Sequence, residues 1–397
     1  MYTKTRGLRL ALYGISHLIV DMCCFYILYA AVITNSYGGN GRQEDKTVAV
    51  ISFLLYNCVA FGLQIVFGKR ADKKGNHRAM AVTGCALLVA AMIWLMIENY
   101  SEYHFFHHTF GLVSMAIAAV GNALFHTGGG VDTLISARGK MAPNGLFVAP
   151  GAIGVALGRY IGRSFRLYMV DDFLKSDFVC LLMLMAAVLA LILCVIALCL
   201  GRGDNTEKAE DAVSYRVSSG RKSASFIIIA AITVVILRSL VGSYMPTRSD
   251  GSILARAGGM LPIVFAVCAA LGKALGGIFG DIFGARKISI ISLSAAAVLL
   301  SAGIWLPDIT PVAVLLFNFT MPITLCVCAS VMPGRYGEAF GLTTLGLLIG
   351  SLPDFLFKLS YYPRLCVSLP LIAASAVLLY LCCAGKNQEE IMNEHNI

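Results

Sequence analysis

Charge is what this sequence has least of. Asp, Glu, Lys and Arg make up 13% of its 397 residues against 58% hydrophobic residues, and mean hydropathy is +0.78. A soluble chain of this length needs a charged, polar surface. This composition cannot make one, so lipid is the expected solvent for most of the outer surface. C-x-x-C pairs are also missing. Thirteen cysteines are present, but nearly all sit inside apolar runs, as Cys58, Cys85, Cys194, Cys268, Cys326 and Cys328 do. That pattern favours small, reduced membrane-helix residues over disulfides or metal ligands. No G-x-x-x-x-G-K-[ST], H-E-x-x-H or G-x-S-x-G occurs. Nucleotide-driven and hydrolytic chemistry therefore have no sequence basis, and any energy for work must come from an ion or solute gradient. No A-x-A-like cleavage site follows the basic N-terminal residues, so the first apolar run reads as a retained span.

What is there is a series of apolar runs, each near the roughly 20 residues that cross a hydrocarbon core. They lie near 10–33, 47–68, 79–97, 109–135, 143–162, 177–200, 224–246, 259–280, 288–306, 311–332, 338–360 and 366–384. The longest polar interruption divides them six and six. The expected organisation is an N-terminal six-helix bundle at 1–200, a cytoplasmic linker at 201–223, a C-terminal six-helix bundle at 224–385 and a cytoplasmic tail at 386–397. The net charge of +9 does not describe a nucleic-acid surface, because the basic residues fall in short clusters between apolar runs. Lys and Arg are about twice as frequent on the side carrying both termini and the linker, which makes that side the cytoplasmic one.

The chain repeats itself. After the second run comes Gly68-Lys-Arg-Ala-Asp72-Lys-Lys-Gly75-Asn-His-Arg78, and after the eighth comes Gly277-Ile-Phe-Gly-Asp281-Ile-Phe-Gly284-Ala-Arg286-Lys287. Gly68 and Gly277, Asp72 and Asp281, and Gly75 and Gly284 are each 209 positions apart. Two copies in register point to parallel structural repeats, an arrangement that commonly encloses a midplane site between two bundles. Within each copy the first Gly allows close helix approach. The Asp can bind a neighbouring helix N-terminus or a basic side chain. Together with Arg78 and Arg286 these residues form a candidate conformational latch.

These residues resemble the major facilitator superfamily, whose loop between spans two and three carries this motif. Further stretches are similar to its fosmidomycin-resistance-like branch: Ser16-His17-Leu-Ile-Val-Asp21, Ala123-Leu-Phe125-His126-Thr127, Leu237-Arg238-Ser239 with Gly242 and Pro246, and Gly337-Glu338-Ala339-Phe340-Gly341-Leu342. The resemblance implies an all-α integral membrane fold of about twelve spans in two parallel-repeat bundles, and a proton-coupled exporter working by alternating access. The chain departs from the branch at Thr127 and Gly128, where Pro-Glu is usual, at Arg70, where Leu is usual, and at Lys273, an added cation.

Ionisable residues inside apolar runs need a reason, because burying them unpaired is expensive. Asp21 lies near the middle of the first run with His17 one turn before it, a pair able to take up and release a proton. His126, ahead of the triple glycine at 128–130, is a second protonation candidate, and Asn122 stands one turn before it. Arg238 lies near the middle of the seventh run, where a guanidinium needs a carboxylate, carbonyls or an anionic ligand. Asp21 is the expected protein partner. Lys273 in the eighth run, and Asp354 in the eleventh with Lys358 one turn on, complete the set. The proton-coupling candidates are thus Asp21, His17 and His126, and the substrate-binding candidates are Arg238, Lys273, Asp354 and Asn122. Asp132 reads as a helix-end residue. The glycine- and proline-rich fifth run, with Gly145, Pro150, Gly151, Gly154 and Gly158, fits either a packing seam or an antiporter feature.

The leading expectation is proton-coupled export (antiport) of a small amphiphilic or anionic organic compound across a bacterial inner (cytoplasmic) membrane. Uncoupled or exchange transport of an organic anion is the alternative, and a non-transporting membrane sensor is the third. No enzymatic activity, cofactor or metal is expected. The expected partners are a small-molecule substrate, protons and the lipid bilayer, without nucleic acid, for a monomeric chain.

Overall fold

The structure is a computed structural model that describes residues 2–33, 46–99, 107–165, 173–201, 222–245, 261–353, 357 and 359–383. Its elements are helices, as expected where the backbone must satisfy its own polar groups in lipid. The first bundle comprises α1 (Tyr2–Ile27), prolonged by a π-helical turn at Leu28–Ile33, then α2 (Lys46–Lys74), α3 (His77–Asn99), α4 (His107–Ala137), α5 (Ala142–Ser164) and α6 (Phe173–Gly201). The second comprises α7 (Ala224–Ser243), α8 (Leu261–Phe283), α9 (Ala285–Ala302), α10 (Thr310–Phe317), α11 (Thr320–Ser330), α12 (Tyr336–Ser351) and α13 (Tyr361–Cys382). Among the described residues eleven segments are long and apolar enough to cross a membrane, with α10 and α11 sharing one of them; α12, at 16 residues, is the twelfth long helix of the arrangement. The chain is a multi-pass membrane protein.

Helix contacts fall within and between the two halves expected from the sequence repeat. In the first bundle α1 packs on α4, α5 and α6, and α3 on α4 and α6. In the second, α7 packs on α12 and α13, and α8 and α9 pack on α10. The bundles meet chiefly through α5 against α8 and α2 against α12. These two seams exchange when one half is superposed on the other, because α8 is the repeat of α2 and α12 the repeat of α5.

Three local features depart from the apolar runs. The second and eighth runs end at 68 and 280, but α2 continues to Lys74 and α8 to Phe283. Asp72 and Asp281 therefore stand on the last turns of helices and not in loops. Each helix stops at a glycine in the left-handed region, Gly75 (φ 64°) and Gly284 (φ 90°), whose N–H bonds back to Ala71 O and Gly280 O. Only glycine takes that conformation without cost, which explains the second glycine of each motif copy. The tenth span is broken between Phe317 and Thr320. Pro322 cannot donate to the Asn318 carbonyl, and Asn318 Nδ2 turns back to Val314 O at 2.8 Å, so the helical ladder lapses there. By contrast, α4 runs unbroken through Gly128, Gly129 and Gly130. That triplet serves close packing, with Gly128 against α3 and Gly130 against Phe340.

Candidate functional site

A cavity of about 180 Å³ lies between the bundles. The first bundle lines it with His17, Asp21 and His126, and the second with Arg238 and Lys273. His17, Asp21, His126, Arg238 and Lys273 are thus gathered at one place, whereas Asn122, expected to bind substrate, is buried beside Asp21 and does not line the cavity. Asp354 and Lys358 lie outside the described residues.

The cluster from the first bundle is built by helical spacing. His17 and Asp21 share one face of α1, and Asn122 and His126 share one face of α4. Asp21 Oδ2 lies 3.3 Å from His17 Nε2, and Asp21 Oδ1 lies 3.5 Å from His126 Nε2. Asn122 Nδ2 donates to Asp21 Oδ1 at 3.0 Å. The fifth helix makes room for this. Gly151 faces the pair so closely that a Cβ there would collide with His17 Nε2 and Asp21 Oδ2. Gly154 and Gly158 continue the same seam along the α1 backbone.

Hydrogen-bond partners fix where the imidazole protons sit. His17 Nδ1 faces the Phe147 carbonyl at 2.8 Å, and His126 Nδ1 faces the Asn122 carbonyl at 2.9 Å. A carbonyl only accepts, so both Nδ1 atoms donate. The two Nε2 atoms are 2.8 Å apart. Two lone pairs cannot face each other at that distance, so the arrangement is satisfied when one proton lies between the rings, beside the Asp21 carboxylate. The same three side chains offer one ligand atom each within 4.8 Å of one another. A tetrahedral metal bound at about 2.0–2.1 Å would hold two nitrogens about 3.3 Å apart. The observed spacing suits a shared proton better than a metal.

Arg238 and Lys273 are placed differently. Arg238 is 7% exposed, and its Nε has no hydrogen-bond partner among the described residues. Asp21 was its expected partner, but Asp21 is occupied by His17, His126 and Asn122 and forms no ion pair with Arg238 among the described residues. Arg238 and Lys273 thus line a small cavity, and neither forms an ion pair with the first bundle among the described residues.

At one end of the molecule both motif copies bridge the halves. Asp72 accepts from Gly337 N at 2.7 Å and Glu338 N at 2.9 Å, at the start of α12. Asp281 accepts from Met141 N at 2.7 Å and Ala142 N at 2.9 Å, at the start of α5. A carboxylate on a helix N-terminus collects orphan N–H groups and the favourable end of the helix dipole. A Cβ on Gly68 would collide with the Gly337 carbonyl, and one on Gly277 with Met141 and Ala142. The first glycine of each copy therefore sets the approach that the aspartate needs. The arginines behave otherwise. Arg78 bonds Asp132 and the Gly201 carbonyl at the end of α6, while Arg286 bonds the Cys383 carbonyl at the end of α13. These bonds are equivalent staples within each bundle.

Sequence reading missed one cluster. Asp132 is 1% exposed and lies within ion-pair reach of Arg9 (3.4 Å), Arg78 (2.7 Å) and His77 (3.1 Å), instead of standing at a free helix end. The available signal was Asp132 sharing the buried α4 stretch with the glycine triplet.

No protein-family model and no curated protein matches the sequence. Solved structures do. The E. coli fucose:proton symporter FucP aligns over 95% of this chain and 98% of its own, with a TM-score of 0.63 at 12% identity. The proton:xylose symporter XylE aligns over 99% and 100%, with a TM-score of 0.66 at 11% identity. A bacterial homologue of the iron transporter ferroportin, in an outward-facing state, aligns over 94% and 98%, with a TM-score of 0.54 at 14% identity. At such identities the likeness is one of architecture, and this chain has the major facilitator superfamily fold.

Proposed function

We propose that this protein is a secondary transporter that moves a small organic anion across the membrane by alternating access, coupled to protons held by Asp21, His17 and His126. The observation that carries this reading is the shared cavity, with uncommitted cations on one bundle and a proton-sharing carboxylate–imidazole cluster on the other. Arg238 and Lys273 are the anion clamp. The cavity volume of about 180 Å³ limits the solute to a small one. For comparison, an apolar cavity of about 150 Å³ holds benzene. Asp72 and Asp281 hold the closed end, which the loop charge bias assigns to the cytoplasm.

Charge decides the direction of coupling. Without the shared proton the His17–Asp21–His126 cluster carries one negative charge, and with it none. An anion at Arg238 and Lys273 is better tolerated by the neutral cluster, so proton and anion favour each other and travel together. Linkage makes this reciprocal: anion binding must draw a proton into the site. The second reading is export by antiport, supported by the similarity of Ser16-His17 through Asp21 to the fosmidomycin-resistance-like branch. Antiport requires that solute displace the proton. Adding a panel of small carboxylates and phosphonates to purified protein in weakly buffered detergent solution separates the two. Proton uptake on binding supports cotransport, proton release supports antiport, and binding without proton exchange refutes coupling at this cluster.

A further inference from the structure

A second pocket, of about 130 Å³, lies within the first bundle near the start of α5, away from the central cavity. It is lined by Arg6, Arg9 and Tyr13 of α1, Thr133 and Ser136 of α4, and Pro143 of α5. Tyr13 is 1% and Thr133 4% exposed, and neither hydroxyl oxygen has a hydrogen-bond partner among the described residues. Two buried, unpartnered hydroxyls on one pocket are costly unless something occupies it.

The chemistry of the lining says what fits. Guanidinium groups only donate, and hydroxyls can donate. The one carboxylate present, Asp132, is already engaged by Arg9, Arg78 and His77. Arg9 also donates to Ser136 Oγ at 2.8 Å. Two guanidinium groups and the hydroxyls against one engaged carboxylate give the pocket a positive lining, which suits an oxyanion and not a cation. The volume equals that of about four waters, at roughly 30 Å³ each, enough for a tetrahedral phosphate group. Apart from Tyr13, the polar lining residues and Pro143 lie within about two turns of a helix end, where a spanning protein meets lipid headgroups.

We propose that this pocket binds a phosphate group, supplied by an anionic phospholipid headgroup or by inorganic phosphate. Its place gives the binding a consequence. Pro143 follows Ala142, whose N–H is held by Asp281. A bound phosphate therefore braces the start of α5, the part of the first bundle that the second latch grips.

The test uses the full chain in phosphatidylcholine nanodiscs. One arm adds phosphatidylglycerol, and the other adds inorganic phosphate with chloride as the control. Thermal stability and native mass spectrometry of retained lipid are the readouts. Wild-type protein should be stabilised by at least one phosphate source over its control. Stabilisation by phosphatidylglycerol alone identifies the headgroup, and stabilisation by inorganic phosphate identifies the free ion. Tyr13→Phe with Thr133→Val removes only the partnerless hydroxyls, so the unliganded Tm should hold or rise. Phosphate affinity should then fall about tenfold per lost hydrogen bond. Arg6→Gln is the second variant should the double one fold poorly, and it should weaken binding in the same direction. No stabilisation by either source, or equal stabilisation of wild type and variants, overturns the proposal.

Discussion

Replacing Asp72 by Asn removes half of one latch while leaving the side-chain volume almost unchanged. The native carboxylate accepts two backbone N–H bonds, from Gly337 at 2.7 Å and Glu338 at 2.9 Å. An amide keeps one acceptor oxygen and turns an NH₂ toward the second N–H, so one bond is lost. A hydrogen bond to a charged group contributes about 1.5–3 kcal/mol, and the lost charge at the α12 N-terminus adds about 0.3–1 kcal/mol. The nearby Lys69–Glu338 pair, at 3.6 Å with Lys69 exposed, survives and offsets little. The latched state should lose about 2 kcal/mol, or about 30-fold in its equilibrium with the open state. Hydrogen exchange reads this directly, because the protected amides are those of Gly337 and Glu338. Their exchange should accelerate about 30-fold in Asp72→Asn, with the Met141 and Ala142 amides at the other seam accelerating less. Unchanged exchange at 337 and 338 would refute the latch, however transport responded.

The remaining predictions concern the cavity. Asp21→Asn should leave anion exchange partly intact while abolishing accumulation driven by a pH gradient, measured side by side in proteoliposomes; a variant that still accumulates anion against its gradient would remove Asp21 from the proton path. Arg238→Ala should weaken anion binding by about tenfold to a hundredfold, as loss of a charge-assisted bond implies, and titration calorimetry checks it. Gly151→Ala drives a methyl group into His17 and Asp21. It should cost about 1–3 kcal/mol in thermal unfolding and uncouple proton from anion, whereas a wild-type melting curve with normal coupling would contradict the close packing.

Much of this was readable in the sequence where the signal is local or repeated. The 209-residue spacing located both aspartates that bond across the halves, and helical spacing alone put His17 beside Asp21. The helix-capping role of Asp72 and Asp281 was among the readings, but the partner helices were not, because Gly337 and Met141 are far away in the chain. The 2.8 Å approach of His17 Nε2 to His126 Nε2 depends on how α1 packs against α4, which no local spacing carries. Arg238 was expected to seek Asp21. The packing instead saturates that carboxylate from within the first bundle, and Arg238 forms no ion pair with it among the described residues. The roles of Arg78 and Arg286 could not be separated from those of the aspartates, since motif residues adjacent in sequence turn to different bundles once α3 and α9 begin. The break in the tenth span needed the register of Pro322 against Asn318, and apolar runs do not carry register.

The most direct measurement of proton–anion cotransport is the sign of proton movement when an anion crosses the membrane. Liposomes containing the purified protein and an internal pH dye, without an imposed gradient, are presented with each of a panel of small organic anions. Cotransport requires that at least one anion acidify the lumen as it enters, and that the signal vanish in Asp21→Asn and Arg238→Ala. Alkalinisation would establish exchange of anion for proton, and anion entry without any pH change would contradict coupling through the His17–Asp21–His126 cluster.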